Sequence, residues 1–119
     1  MEQGDNGDWR YYLDAMITFA RKVHVYTQRL EERRFAGNDV IFDATLRNLE
    51  LLGEAATHIP EDVRQAKDSI PWDMLIATRE RLMRSDGALA YDVVWTIVDD
   101  DIPPLLAGLQ SLREAVVTD

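Results

Sequence analysis

The chain has no cysteine among its 119 residues and only two histidines, His24 and His58. Without thiols there are no disulfide bonds and no thiolate chemistry, and a zinc site would need both histidines together with carboxylates. Neither histidine belongs to a His-x-x-x-His or Glu-x-x-His pair, so we expect no metal site and no cofactor. The sequence also lacks a Gly-x-Ser-x-Gly elbow and a glycine-rich phosphate loop, which excludes two common catalytic designs.

Long apolar runs are missing as well. No stretch approaches 18 consecutive apolar residues, the length that a membrane-spanning helix needs. The opening sequence, MEQGDNGDW, has neither a basic region nor an apolar run and does not resemble a signal peptide. These features predict a soluble cytoplasmic protein that does not contact membranes.

Positive charge is in the minority, with 13 basic and 22 acidic residues and a net charge of −9. Proteins that grip nucleic acids are usually basic, so RNA binding is possible but disfavoured by charge. The acidic run Asp99–Asp101 could attract a divalent cation. Three consecutive residues on a helix cannot all face one point, so the run favours an exposed acidic turn.

Apolar residues recur at spacings of three and four along most of the chain, and no segment alternates with period two. This pattern predicts one all-α domain, residues 1–119, with residues 1–7 as a flexible N-terminus. The second of about five helices is apolar on two faces and is expected to be central. The predicted helices begin with Asp8 as an N-cap, at Asn38 or Asp39, at Pro60, at Pro71 and near Ala90.

Helix-breaking residues set the expected ends of the helices. The first helix should fray in EERRFAGND, and the others should end near His58, near Asp68 and at Ser85–Gly87. Pro103 and Pro104 should kink or split the last helix around Asp101–Ile102. The three tryptophans have apolar neighbours, which favours packing over base stacking.

The segment RERLMR concentrates Arg79, Arg81 and Arg84 in six positions, offset locally only by Glu80. Cations near a helix C-terminus are each stabilised by roughly 0.3–1 kcal/mol through the helix dipole. Either stabilisation of the helix end or a site for an anionic ligand would account for the cluster. Charge alone favours stabilisation of the helix end.

A family resemblance bears on this choice. The segments DWRYYLDAMITFARKVHVYT, DATLRNLELLGEAATHIP, IPWDMLIATRERLMR and VVWTIVDDDIPPLL resemble, in order and spacing, the HepT family of HEPN-domain proteins. The resemblance covers Asp8 to about Leu112 and implies a helical bundle that forms a homodimer. It also implies a metal-independent RNA endonuclease, built where two Arg-x4-His-x-Tyr motifs meet. Such proteins are toxins whose antitoxin, a minimal nucleotidyltransferase, can adenylylate the motif tyrosine.

The motif itself is altered in this chain. Its arginine falls on Arg79, but Arg84 occupies the histidine position and Asp86 the tyrosine position. Histidine suits acid–base chemistry because its pKa is near 6.5, whereas arginine stays protonated up to about pH 12. Asp86 adds negative charge where a phosphate would bind and removes the adenylylation acceptor. We therefore expect cleavage to be weak or absent.

Three more residues come from the RNLELLGEAA segment, namely Arg47, Asn48 and Glu54. Asn48 and Glu54 are spaced i, i+6 and should lie on different faces of the second helix. Hydrogen bonding between helices explains them simply. Pairing of Arg47 or Glu54 with Arg79 is the alternative, because a buried carboxylate there would need such a partner.

Three functions remain open. The chain could be a homodimer that has lost cleavage and serves as a binding or regulatory partner, for example of a nucleotidyltransferase, and we favour this function. It could be a toxin RNase that still cuts, with Arg79 and Arg84 stabilising charge in the transition state. It could also be a purely structural helical dimer.

Overall fold

The computed structural model describes residues 3–83 and 91–116, with side chains described for 9–78, 91 and 93–116. Within these ranges all regular structure is helical, which confirms the predicted all-α, HEPN-like bundle. No helix in the described part is long and apolar enough to cross a membrane. The elements are α1 Gln3–Thr27, α2 Glu32–Ala36, α3 Asp39–Ala56, α4 Glu61–Ala66, α5 Trp72–Met83, α6 Tyr91–Thr96, a π-helical turn Ile97–Asp101 and α7 Ile102–Ala115.

Helix α3 is the centre of the bundle. It packs against α1 on one side and α5 on the other, and α7 packs against α1. This arrangement confirms the prediction from its two apolar faces, which bury Phe42, Leu49 and Leu52 to at least 97% of their surface. Full burial of each such side chain stabilises the fold by about 1.5–3 kcal/mol, so α3 carries much of the core.

The first helix starts earlier than predicted. Helix α1 begins at Gln3, so Asp8 lies inside it and the proposed N-cap at Asp8 is wrong. The apolar stripe starts at Trp9, but a stripe marks where a helix packs and not where its backbone begins. No proline in residues 3–8 stops the helix from extending beyond its packed face.

Helix α2 was not predicted, because the segment EERRFAGND was expected only to fray. In the structure, Glu32–Ala36 forms a short helix with Phe35 fully buried. The Phe35 ring contacts Phe42 at 5.4 Å and Trp95 at 5.3 Å between centroids. One phenylalanine among charged residues produces no periodicity, so tertiary packing is what identifies this helix.

Asn38 is the predicted cap that the structure confirms. Its Oδ1 accepts a hydrogen bond from the backbone N–H of Ile41 at 3.0 Å, with Asn38 in an extended backbone conformation. This bond satisfies one of the free N–H groups at the start of α3. The start of the central helix is therefore set by a local interaction as well as by packing.

The interruption expected at Pro103 and Pro104 is also confirmed. The π-helical turn Ile97–Asp101 separates α6 from α7, and the two prolines occupy the first turn of α7. Prolines at 103 and 104 have no N–H to donate to the carbonyls four residues earlier, at Asp99 and Asp100, and their rings crowd those carbonyls. A wider π-helical turn accommodates this local conflict.

Candidate functional site

The arginine cluster lies at the C-terminal end of α5. Arg79 and Arg81 are in the helical backbone of α5, but their side chains lie outside the described residues. Arg84 and Asp86 lie wholly outside them, as does the expected turn Ser85–Gly87. The structure therefore positions the helix that carries the motif arginine.

Helix α5 is fixed to the bundle by three described side chains. Trp72 is 5% exposed, and its Nε1 donates to the carbonyl of Lys67 at 3.0 Å, which holds the start of the helix. Leu75 and Thr78 are also buried, and the Thr78 hydroxyl donates to the Met74 carbonyl at 2.8 Å. Position 79 directly follows Thr78, so the motif arginine stands on a helix whose orientation is set by packing.

A small cleft lies beside α5. Its volume is about 20 Å³, room for roughly one water molecule. Apolar side chains from α3, α5 and α7 form most of its lining, and its polar members are Thr78 and Asp101. Asp101 is half-buried, while Asp99 and Asp100 are exposed. The expected exposed acidic turn thus holds for Asp99 and Asp100, whereas Asp101 is only partly exposed.

Arg47 and Asn48 face in different directions on α3. Arg47 is exposed, and its Nη1 lies 3.7 Å from Glu50 Oε1 on the same helix. Asn48 is 8% exposed, and its Nδ2 donates to the Ala44 carbonyl at 2.8 Å, also within α3. This Asn48 bond stays within one helix, so it does not supply the expected link between helices.

Glu54 and His58 form a separate group at the end of α3. Glu54 is exposed and its Oε2 lies 3.9 Å from His58 Nε2. The His58 ring stacks on Tyr12 of α1 with centroids 4.0 Å apart and an angle of 10°. As predicted, His58 sits at a helix C-terminus. Pairing of Arg47 or Glu54 with Arg79 stays a prediction, since the Arg79 side chain lies outside the described residues.

The tryptophans pack as expected where the structure describes them. Trp72 is in the core, and Trp95 packs on Phe35. Trp9 is half-buried, with the Arg10 guanidinium carbon 5.5 Å from its ring centroid. Among the described residues, no group of three or more His, Asp or Glu side chains could hold a metal ion.

Sequence comparison identifies the family. The family model described as Ribonuclease HepT-like matches residues 16–112, from α1 through α7. The "Probable ribonuclease HepT" of Thermococcus cleftensis is 27% identical over 103 residues, covering 87% of this chain and 94% of that protein. The "Putative RNase MJ1216" of Methanocaldococcus jannaschii is 32% identical over 94 residues, 79% of this chain and 72% of that protein.

A third relative is longer than this chain. The "Gamma-glutamylcyclotransferase and putative RNase MJ0434" of Methanocaldococcus jannaschii is 27% identical over 107 residues, which span 90% of this chain but 48% of that protein. No solved structure matches the chain. The family match covers most of the chain and agrees with the helical bundle, and the chain therefore belongs to the HepT-like ribonuclease family.

Proposed function

We propose that this chain keeps the HepT-like bundle, has lost most or all of the RNA cleavage associated with the family, and acts as a binding or regulatory partner. One observation carries the proposal: Arg84 and Asp86 occupy the positions of the motif histidine and tyrosine, while Arg79 is retained.

The chemistry of the altered motif supports the loss of RNA cleavage. Cutting RNA without a metal requires a base to take the proton of the 2′-hydroxyl and an acid to protonate the leaving 5′-oxygen. An arginine at position 84 stays charged at neutral pH, so it can stabilise negative charge but cannot accept a proton. An aspartate at position 86 brings negative charge close to where a phosphate would bind and so opposes substrate binding.

The two histidines elsewhere in the chain are poor substitutes. His58 stacks on Tyr12 of α1, whereas Arg79 is on α5, and α3 packs between these two helices. His24 lies in the last turn of α1. Neither residue belongs to the motif, and the sequence gives no reason to place either beside the motif arginine.

A homodimer is part of the proposal, supported by exposed apolar side chains near the start of α6. Val40 is 78% exposed, Tyr91 40% and Val93 37%. Tyr91 contacts Phe42, the α3 residue two positions after Val40, with ring centroids 4.3 Å apart, so these side chains share one end of the bundle. Exposed apolar patches of this kind favour an interface. A minimal nucleotidyltransferase is the further partner, and it would bind without modifying position 86.

The dimer is tested by measuring the mass in solution. We expect twice the chain mass of 13.7 kDa for the unaltered protein and a shift toward one chain for Val40→Asp, because a buried charge opposes association. Tyr11→Asp is the control, since Tyr11 is 69% exposed and adjoins Tyr12, which stacks on His58 beyond the opposite end of α3. If the Val40→Asp variant still has the mass of two chains, the interface lies elsewhere.

Loss of cleavage is tested with the unaltered chain and an Arg79→Ala variant, each incubated with mixed RNA in EDTA. We expect both to give no more product than buffer alone, because the unaltered motif lacks a base. RNA cleavage by the unaltered chain that disappears in Arg79→Ala would overturn the proposal. It would favour the alternative in which Arg79 and Arg84 alone sustain an active toxin RNase.

A further inference from the structure

The charge of the chain is unevenly distributed. Residues 21–34 contain five basic and two acidic residues, a net charge of +3, so the rest of the chain carries −12 and the total is −9. This segment comprises the last two turns of α1, the connection 28–31 and the start of α2. Its five basic side chains are all exposed, and we call them the basic surface: Arg21, Lys22, Arg29, Arg33 and Arg34.

Most of the positive charge of the basic surface is not neutralised by neighbouring acids. Arg33 Nε lies 3.5 Å from Glu31 Oε1. Among the residues that the structure describes, the other four members of the basic surface form no ion pair. Arg113 on α7, by contrast, is paired with Asp14 at 2.7 Å. The basic surface therefore has four cations that an anionic partner can contact.

The backbone beneath the basic surface is held by buried side chains on both sides of the connection. On α1, Val23 and Thr27 are buried, and the Thr27 hydroxyl donates to the Val23 carbonyl at 2.7 Å. On α2, Phe35 is fully buried, and its backbone N–H donates to the Glu31 carbonyl at 3.0 Å. The cations therefore stand on ordered backbone, which reduces the entropy lost when an anion binds.

An exposed aromatic ring lies among these cations. Tyr26 is 36% exposed and follows Lys22 by one helical turn, on the same face of α1. Within the described part of the chain, the Tyr26 ring contacts no other ring. Single-stranded nucleic acids use this combination, because their bases stack on aromatic rings while cations contact their phosphates. An acidic protein would use the cations and leave the ring unused.

The basic surface is also connected by packing to the helix that follows the altered motif. Phe35 of α2 contacts Trp95 of α6 at 5.3 Å and Phe42 of α3 at 5.4 Å between ring centroids. Phe42 in turn contacts Tyr91, the first residue of α6, at 4.3 Å. The chain enters α6 directly from the segment that contains the altered motif. An RNA held on α2 is therefore close to α6.

We propose that the basic surface binds single-stranded RNA, with Lys22, Arg29 and Arg34 contacting phosphates. Tyr26 stacks on one base. The surface is separate from the altered motif, so the inference goes beyond the proposed function and does not depend on whether RNA cleavage is lost. The net charge of −9 does not prevent this binding, because salt screens exposed charges more than about 8 Å away and the local charge is +3.

Binding is tested by fluorescence anisotropy with the full chain and a labelled single-stranded RNA of about 12 nucleotides, a length that one small domain can cover. Methylation of every 2′-hydroxyl prevents cleavage during the measurement. We expect the logarithm of the association constant to fall with the logarithm of salt concentration at a slope of about −3, since each of about four phosphate contacts contributes roughly 0.7. Absence of binding at low salt would overturn the inference.

Charge-removing variants test where the RNA binds. Lys22→Gln should weaken binding by about threefold to tenfold, and the triple variant Lys22→Gln, Arg29→Gln, Arg34→Gln should make the salt slope less steep by about 2. Lys67→Gln is the matched control, because it makes the same change in charge beyond α4, after the end of α3 that is opposite to α2. If Lys67→Gln weakens binding as much as Lys22→Gln, RNA responds only to net charge and the inference fails.

Two tyrosine variants distinguish RNA from an acidic protein as the partner. Tyr26→Ala should weaken RNA binding by about fivefold or more, the loss expected for one stacked base, without changing the salt slope. Tyr11→Ala is the control, since Tyr11 is 69% exposed nearer the start of α1, and it should bind RNA as the unaltered chain does. Unchanged binding by Tyr26→Ala, or displacement of the RNA by polyglutamate at an equal concentration of charge, would indicate an acidic protein partner and contradict the inference.

Cleavage of unmethylated RNA, measured on the same preparation, keeps this inference separate from the proposed function. If the unaltered chain binds RNA through the basic surface and also cleaves it, the proposed loss of cleavage is wrong and the binding surface is retained. If the chain neither binds nor cleaves RNA, the loss of cleavage is supported and the RNA-binding surface is wrong.

Discussion

Replacing Arg84 by histidine and Asp86 by tyrosine should turn this chain into an RNA endonuclease that works in EDTA. We expect cleavage to rise by about 10²–10⁴ over the unaltered protein, the range that general acid–base catalysis contributes. The histidine supplies a group that can accept a proton near neutral pH, which arginine cannot. The tyrosine replaces a negative charge at the place where a phosphate would bind. The measurement is a single-turnover time course on a defined RNA.

The two single variants show which substitution produces the increase in RNA cleavage. Arg84→His should give most of the rate increase, because it introduces the missing base. Asp86→Tyr alone should raise RNA affinity without appreciable cleavage. Adding Arg79→Ala to the double variant should remove most of the gain, since an arginine aimed at the reacting phosphate stabilises its developing charge. A double variant as inert as the unaltered chain would show that more than these two positions has changed.

Phe35→Ala should reduce the free energy of unfolding by about 3–5 kcal/mol, a large fraction of the 5–15 kcal/mol that stabilises a typical domain. Phe35 is fully buried and contacts both Phe42 and Trp95. Helix α2 has only five residues, and Glu31 before it makes no side-chain capping bond. The ring of Phe35 is therefore the main attachment of α2 to α3 and α6, and its loss leaves a cavity there. Urea denaturation monitored by circular dichroism gives the difference.

Tyr11→Ala is the matched control for the loss of a buried aromatic ring. Tyr11 is 69% exposed, and its ring contacts Tyr12 edge-on at 5.2 Å between centroids. Its removal should cost no more than that edge-on contact, about 0.5–1.5 kcal/mol. If Phe35→Ala costs no more than Tyr11→Ala, then α2 contributes little to the core and its burial is not what stabilises it.

The sequence predicted those parts of the fold that repeat. The apolar stripes of α1, α3 and the α6–α7 region recur over several turns, and the paired prolines produced the expected break before α7. Phe35 was missed because one apolar residue has no period. The boundary at Asp8 was wrong because packing and helix formation begin at different places. Such local details depend on tertiary contacts, which a single sequence does not display.

The candidate site, like the fold, was predicted from the sequence only in part. Resemblance to the family located Arg79 and the altered positions at Arg84 and Asp86. The partial burial of Asp101 was not predicted, since three adjacent aspartates look alike in sequence. Their different exposures depend on the tertiary structure around the π-helical turn.

The pH dependence of RNA cleavage by the Arg84→His, Asp86→Tyr variant, measured in EDTA from pH 5 to 8 beside the unaltered chain, tests the central claim most directly. If the chain lacks only an acid–base group, the rate of the variant should show an inflection near the ordinary histidine pKa of about 6.5, and the unaltered chain should be inactive throughout. A base must be neutral to act, so its contribution should rise with pH through that inflection. A flat profile, or an equal rate in the unaltered chain, would contradict the account.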